Sequence, residues 1–350
     1  MVRYRASDLI DHTAALFAAA GMPADRSRIV AELLVEADLM GHDTHGLQLA
    51  PRYLGHLTSG KMAATGDPEV VSDRKAAIVW NGKKLSGVWL TAAAVDLASD
   101  RARDYGVAAV SIREGRHTAC LGAYLHRATD KGQMVVVTSS TPSVSNVAPF
   151  GGLDAVFSPD PIAYGIPTEG DPILIDMSAS ITTNNMTNRL RKTGGRYPGK
   201  WVQDHDGLAT DDPSVLFGDR PGSMLPAGGQ DHGQKGYGMA LANEALAQGL
   251  SGLGRSSWTD SLDTAIFVQV FEPEAFGGFS HFAREMSALA ALCRASRPAP
   301  GIEAVRLPGE RALQKKRDQL RDGVIVAPAI MTNLAPWAEK FGMTPPTPIE

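Results

Sequence analysis

The chain has 350 residues, 43% of them hydrophobic and 21% charged, with a formal net charge of -4. That composition is enough for a large buried core and suits two domains better than one. Basic and acidic residues (34 and 38) are interspersed without a basic patch or tail, which argues against a nucleic-acid partner.

The two cysteines, Cys120 and Cys293, form no CxxC pair and no disulfide ladder, so a reducing compartment is expected. The charged, amphipathic opening over residues 1–21 does not read as a signal peptide. No apolar run reaches the roughly 18–20 residues of a membrane span. The expectation is a cytoplasmic protein that does not engage membranes.

In chain order, Ser7 can cap a helix that runs through Leu16 and stops at Gly21. Pro23 starts a second helix, with Ile29, Val30, Leu33, Leu34 and Ala37 at helical spacing and Gly41 at its end. A third is expected over 45–57. Short β-type runs follow over 69–79, up to the turn signal Asn81-Gly82. Residues 91–105 read as an Ala-rich helix and 107–112 as a buried strand. A loop over 113–118 then leads to a helix near 121–128. Further strands are expected at 134–138, 155–157, 162–166, 173–176 and 265–270. The polar stretch 183–222 reads as a long surface excursion. Helices are expected over 237–249, 282–296, 309–321 and 335–341.

Regular βα alternation is missing, and so is Gly-x-Gly-x-x-Gly, so the usual dinucleotide fold lacks its most mechanistic signature. There is also no P-loop, no Gly-x-Ser-x-Gly elbow and no His-Glu-x-x-His.

Four stretches could carry chemistry. Gly41-His42-Asp43-Thr44-His45-Gly46 places two histidines, a carboxylate and a hydroxyl between glycines. An imidazole can move a proton near neutral pH, and a neighbouring hydroxyl can set its tautomer. Capping of the next helix by Asp43 or Thr44 explains the spacing equally well. A metal held by His42 and His45 is the weaker reading, because no third ligand is near in sequence. His117 sits on a strand-to-helix loop beside Arg116 and Thr118. On residue type alone it is a surface histidine, and Cys120 close by is a small buried residue. Asp176-Met177-Ser178 puts an acid and a hydroxyl at the end of an apolar strand, which could hold ribose or nicotinamide groups or could simply be a turn. Gly233-Gln234-Lys235-Gly236-Tyr237-Gly238 opens a helix with glycines and a lysine, a weak anion-binding signal.

Taken in order, these pieces form a specific set. It comprises Gly41–Gly46 and Tyr53, His117–Tyr124, Val147-Ala148-Pro149-Phe150-Gly151-Gly152, Pro161-Ile162-Ala163, Asp176–Ser180, Lys235–Gly238 and Pro308-Gly309-Glu310. The set resembles the malate/L-lactate dehydrogenase family of the second type, which includes ureidoglycolate dehydrogenase, diketogulonate reductase and the piperideine- and pyrroline-2-carboxylate reductase. The resemblance covers nearly the whole chain.

It implies an α+β fold, with a helical substrate and dimerisation domain from both chain ends (1–70 with 280–350) and a non-Rossmann NAD(P)-binding domain (71–279). It implies a homodimer using NAD or NADP on a small carboxylate substrate. By resemblance, Thr44 and His45 belong to a proton relay and His117 is an acid/base candidate. Cys120, Leu121, Ser140, Asp176, Met177, Ser178, Lys235, Gly236 and Arg311 would lie along the cofactor.

The departures are informative. Leu49 stands where many members carry an arginine for the substrate carboxylate, so Arg52, Arg113 or Arg116 would take that role, or the substrate differs. Asp160 replaces the asparagine of Asn-Pro-Ile and would repel a cofactor phosphate. Gln234 replaces a histidine, and Asn185 a glycine. The resulting expectation is an NAD(P)H-dependent reductase or dehydrogenase of a 2-oxo (2-hydroxy) acid or cyclic 2-imino acid, without a metal. The alternative is a non-catalytic member acting as a ligand-binding protein.

Overall fold

A computed structural model describes residues 2–349. The first strand, β1 (Val2–Tyr4), is followed by three helices, α1 (Ala6–Ala19), α2 (Ala24–Met40) and α3 (Ala50–Thr58). Next come β2 (Glu69–Asp73), β3 (Ala77–Asn81), α4 (Gly87–Tyr105), β4 (Val107–Gly115), the single turn α5 (His126–Thr129), β5 (Met134–Ser140), β6 (Pro161–Ile166) and β7 (Ile173–Ser178). The middle of the chain holds α6 (Asn184–Thr193), the short strands β8 (Val202–Gln203), β9 (Ala209–Thr210) and β10 (Ser223–Met224), α7 (Gly229–His232) and α8 (Gln234–Glu244). The chain closes with β11 (Thr264–Phe271), α9 (Phe279–Ala295), α10 (Glu310–Asp322), β12 (Val324–Val326) and α11 (Pro328–Lys340).

A mixed seven-stranded sheet runs in the order β2-β3-β4-β11-β5-β6-β7. Only β3 and β4 pair in parallel, joined across α4; the other neighbours are antiparallel. Ala108, Val110 and Ile112 alternate inward from β4 and are fully buried, together with Ala94, Val95, Ala98 and Ala102 of α4. Small alanines let this helix lie close on the sheet. Gly87 is required at its start, because a Cβ there would stand 1.7 Å from the Arg116 carbonyl oxygen. The first turn of α4 therefore rests on the backbone that carries Arg116 and His117.

The chain ends meet: β1 and β12 pair antiparallel, so the fold is α+β with helices from both ends beside the sheet. Gln319 on α10 donates to the Asp38 and Leu39 carbonyls at 2.9 and 2.8 Å, and Lys316 pairs with Glu36 at 2.6 Å. These bonds hold the C-terminal turn of α2, which Gly41 ends in the left-handed conformation at φ 87°.

Several sequence expectations are corrected. The helix expected from His45 is two short 3₁₀ turns, Asp43–His45 and Leu47–Leu49, before α3 begins. The cause is the buried Asp38 carboxylate, which accepts the Leu47 N–H at 2.8 Å. A Cβ on Gly46 would lie 2.2 Å from an oxygen of that carboxylate, so only glycine fits beside it. Residues 155–157 make a single bridge, Phe157 to Val147, rather than a strand. The loop expected from Arg113 is strand as far as Gly115.

The polar excursion over 183–222 is also folded. It contains α6, β8 and β9, and β8 also pairs with β10 just beyond it, around a second small core of Val147, Phe157, Ala179, Tyr197, Val202, Met224 and Ala240. Its apolar residues are too scattered for a periodic signal, and they share that core with segments distant in sequence. The last helix begins at Pro328, a favoured first position, and contains Pro336.

Candidate active site

A cleft of about 560 Å³ opens where the histidine turn, the ends of β4, β5 and β7, and the start of α6 converge. His42, Thr44, His45, Leu49 and Arg52 line it from the helical side. Facing them are His117, Cys120 and Leu121, Ser139 and Ser140, and Asp176, Met177 and Ser178. Asn184 and Asn185 close it from α6, and Ser261 and Leu262 from the loop before β11.

Two imidazoles dominate the cleft. The rings of His45 and His117 stack with centroids 6.2 Å apart and planes 16° from parallel, although they are far apart in sequence. His45 reaches the Thr44 hydroxyl through Nδ1 at 2.9 Å. Burial lowers its pKa, and the nearby Asp176 carboxylate partly restores it. His117 is held differently. Its Nδ1 meets the Tyr53 hydroxyl at 2.6 Å and the Ala119 N–H at 3.3 Å. A backbone N–H only donates, so this Nδ1 accepts and the ring proton sits on Nε2. Burial first, and the Arg52 charge second, push the His117 pKa down to about 3. Tyr53 keeps its proton, since complete burial raises its pKa. His117 is therefore a neutral imidazole presenting an N–H.

Asp176 accepts the Gly122 N–H at 2.7 Å, and the Cys120 thiol lies 3.5 Å from the same oxygen. Burial and this carboxylate raise the Cys120 pKa, so the thiol stays protonated and is no nucleophile. His42, Cys120 and Asp176 bring possible metal-ligand atoms within 4.8 Å of one another. A protonated thiol and a carboxylate oxygen already hydrogen-bonded suit this group to fixing the wall of the cleft.

The expected substrate arginines separate. Arg52 lines the cleft, is exposed, and is the only lysine or arginine among the described lining residues. Arg116 is corrected: it is 1% exposed and turned away from the cleft. Its guanidinium pairs with Asp263 at 2.9 Å and Asp260 at 2.7 Å, and its Nε donates to the Lys61 carbonyl at 2.7 Å. A charge buried this deeply needs such partners and has none to spare for a substrate. Asp260 and Asp263 lie in the loop that supplies Ser261 and Leu262, so Arg116 ties that wall to the strand end carrying His117.

Of the residues expected along the cofactor, Cys120, Leu121, Ser140, Asp176, Met177 and Ser178 line the cleft, whereas Lys235, Gly236 and Arg311 do not. Gly236 is a packing residue, since a Cβ there would be 2.3 Å from the Ala227 nitrogen. Lys235 and Arg311 are exposed at the starts of α8 and α10. Asp160 is corrected as well. It is fully buried, lies behind the lining, and is held neutral by burial and the Glu244 carboxylate, so it presents no charge to a phosphate.

Nearly the whole chain matches known proteins. Residues 4–335 match the malate/L-lactate dehydrogenase family. The chain belongs to that family. It is an oxidoreductase, as members of the family are NAD- or NADP-dependent dehydrogenases. It is 30% identical to an L-lactate dehydrogenase of Cupriavidus necator, over 95% of this chain and 96% of that one. The crystal structure of the delta1-piperideine-2-carboxylate reductase from Pseudomonas syringae pv. tomato superposes with a TM-score of 0.84 at 28% identity, covering 97% and 100% of the two chains. The malate dehydrogenase of Pyrococcus horikoshii shares the fold, with a TM-score of 0.88 at 24% identity over 98% and 97%.

Within this family framework, sequence reasoning missed two features. One is the Tyr53 bond that sets the state of His117. The other is the reach of Asn185 to the Thr44–His45 turn, at 3.1 Å to the Thr44 carbonyl. Tyr53 enters only as one residue of the family set, and Asn185 only as a departure from it inside the polar excursion. Neither carried a local signal of its partner.

Proposed function

We propose that this oxidoreductase interconverts a small 2-oxo acid or cyclic 2-imino acid and its reduced form, with NAD or NADP. The helical residues 1–70 and 280–350 serve substrate binding and homodimerisation, and residues 71–279 serve the cofactor. The observation that carries the reading is the stacked pair of imidazoles in unlike states, in a cleft where Arg52 is the one lysine or arginine among the described lining residues.

The cleft suits a nicotinamide nucleotide. Ser139, Ser140, Thr141, Ser158, Ser178 and Thr183 line it with hydroxyls able to bond amide and ribose groups, with no buried carboxylate charge from Asp160. When bound, such a cofactor supplies or removes the hydride at the substrate carbon. The protein's part is the proton. His117, neutral with its proton on Nε2, donates a hydrogen bond to the developing oxygen or nitrogen and polarises it. His45, whose pKa burial lowers and Asp176 lifts, gives that atom its proton in reduction and takes it back in oxidation. Thr44 holds the His45 ring in place. Arg52 binds the substrate carboxylate, and Leu49, 7% exposed, offers an apolar wall to the carbon skeleton. With both imidazoles and the cleft in place, nothing favours a non-catalytic binding protein.

The test is a substrate panel of pyruvate, oxaloacetate, pyrroline-2-carboxylate and piperideine-2-carboxylate with NADH and NADPH. At least one pair should turn over, and His45→Ala and His117→Ala should both slow it. Full turnover by both variants on a verified substrate would overturn the mechanism. Binding of neither nucleotide would overturn the cofactor reading.

A further inference from the structure

Asn185 is the second residue of α6, whose start is fixed by the Thr183 hydroxyl accepting the Met186 N–H at 3.3 Å. This places the Asn185 side chain across the cleft from the histidine turn. Its Nδ2 donates to the Thr44 carbonyl at 3.1 Å and stands 3.5 Å from His45 Nε2. The carbonyl only accepts, so the nitrogen end of the amide must face the turn; the reverse orientation would set two oxygens against each other. The amide has two N–H bonds, and the second faces Nε2.

We infer that Asn185 is a positioning residue that keeps the lone pair of His45 on Nε2 and the ring proton on Nδ1. The other tautomer would set an Nε2–H against the amide N–H, and so would the imidazolium. Thr44 completes the arrangement, its hydroxyl accepting from Nδ1–H at 2.9 Å. The two stacked imidazoles then carry opposite tautomers: His117 presents an N–H and His45 a lone pair. This resting state takes a proton from a hydroxyl or amine substrate once the substrate O–H or N–H displaces the long Asn185 N–H contact from the single Nε2 lone pair. Reduction requires His45 to be protonated first, against the opposition of the Asn185 amide. This inference rests on the assignment of His45 as the acid/base.

The experiment is heteronuclear NMR of the full chain labelled at histidine, with His45 assigned by loss of its signals in His45→Gln. It is run on wild type, Asn185→Ala and the near-isosteric Asn185→Asp, alongside thermal melting. Wild type should show a neutral His45 protonated on Nδ1. Asn185→Ala should bring in the Nε2–H tautomer and raise the His45 midpoint. Asn185→Asp, whose carboxylate favours both Nε2–H and the imidazolium, should raise it by on the order of 1 pH unit or more. The pH limit of the reductive rate should move upward by the same amount in each variant. An unchanged tautomer and midpoint in both folded variants overturns the inference. A moved midpoint with an unmoved rate profile upholds Asn185 and overturns His45 as the acid/base.

Discussion

His45 and His117 face each other across one cleft, yet their supports have little in common. His117 follows the end of a central strand. Gly87 of α4 packs against its backbone, Tyr53 and Ala119 fix its ring, and the buried Arg116 next to it is tied to Asp260 and Asp263. His45 lies on a 3₁₀ turn between two glycines, and among the described residues its ring hydrogen-bonds Thr44 and Asn185, the latter from a remote helix. The locked ring is driven neutral and can serve as a fixed hydrogen-bond donor. The lightly held ring keeps a pKa that its neighbours can move. One side-chain type thus performs two tasks because burial and hydrogen-bond direction differ.

The comparison can be broken from either side. Removing the proton carrier should have the largest effect: His45→Ala should lower turnover by on the order of 10²–10⁴-fold and erase the pH dependence it governs, read from kcat against pH. Unlocking the other side comes next. Arg116→Met strands the buried Asp263 carboxylate, while Asp260 keeps Lys84 at 3.1 Å, and should destabilise the fold by roughly 3–5 kcal/mol in denaturant titration, with His117 and the 260–264 wall disturbed together. His117→Ala removes one oriented donor and should cost about 10²–10³-fold in kcat while leaving the position of the pH limb unchanged.

The pH dependence itself sharpens the contrast. Burial holds the His45 pKa below 6.5, so the reductive kcat/KM should rise as pH falls through it, and the oxidative rate should rise as pH climbs through it. His117 should contribute no limb above about 3. The smallest effect on turnover is expected behind the cleft, at Asp160, where the readout is stability. Its pKa is raised from 3.8 to about 8, so the folded state binds the extra proton, and stability falls as pH rises between those values. Asp160→Asn should lack that slope, which is at most about 1.4 kcal/mol per pH unit, and its advantage over wild type should grow across the window in melts at successive pH values.

Much of this was legible in the residues. Helical spacing marked α1, α2 and α4, and Gly41 and Gly21 marked two helix ends. Ala108, Val110 and Ile112 marked a buried strand. The order of short motifs from His45 to Pro308-Gly309-Glu310 pointed to the family, which the match over residues 4–335 shows. The histidine turn was visible as a candidate, but its local form was misread. An amphipathic pattern from His45 to Leu57 favours a helix, and only the buried Asp38 accepting the Leu47 N–H explains why the chain delays it.

What the sequence by itself determined is what depends on neighbours along the chain: periodicity, caps, turns, and the presence of chemically able residues in a recognisable order. Tertiary structure alone decided which of them meet. It inserted β11 between β4 and β5, brought the chain ends together through β1 and β12, and folded the polar excursion so that Asn185 reaches His45. It withdrew Arg116 from the cleft and left Arg52 in it. The physical reason is that a proton-transfer residue is defined by its desolvation and by which atoms hydrogen-bond to it, and both are set by groups far away in sequence.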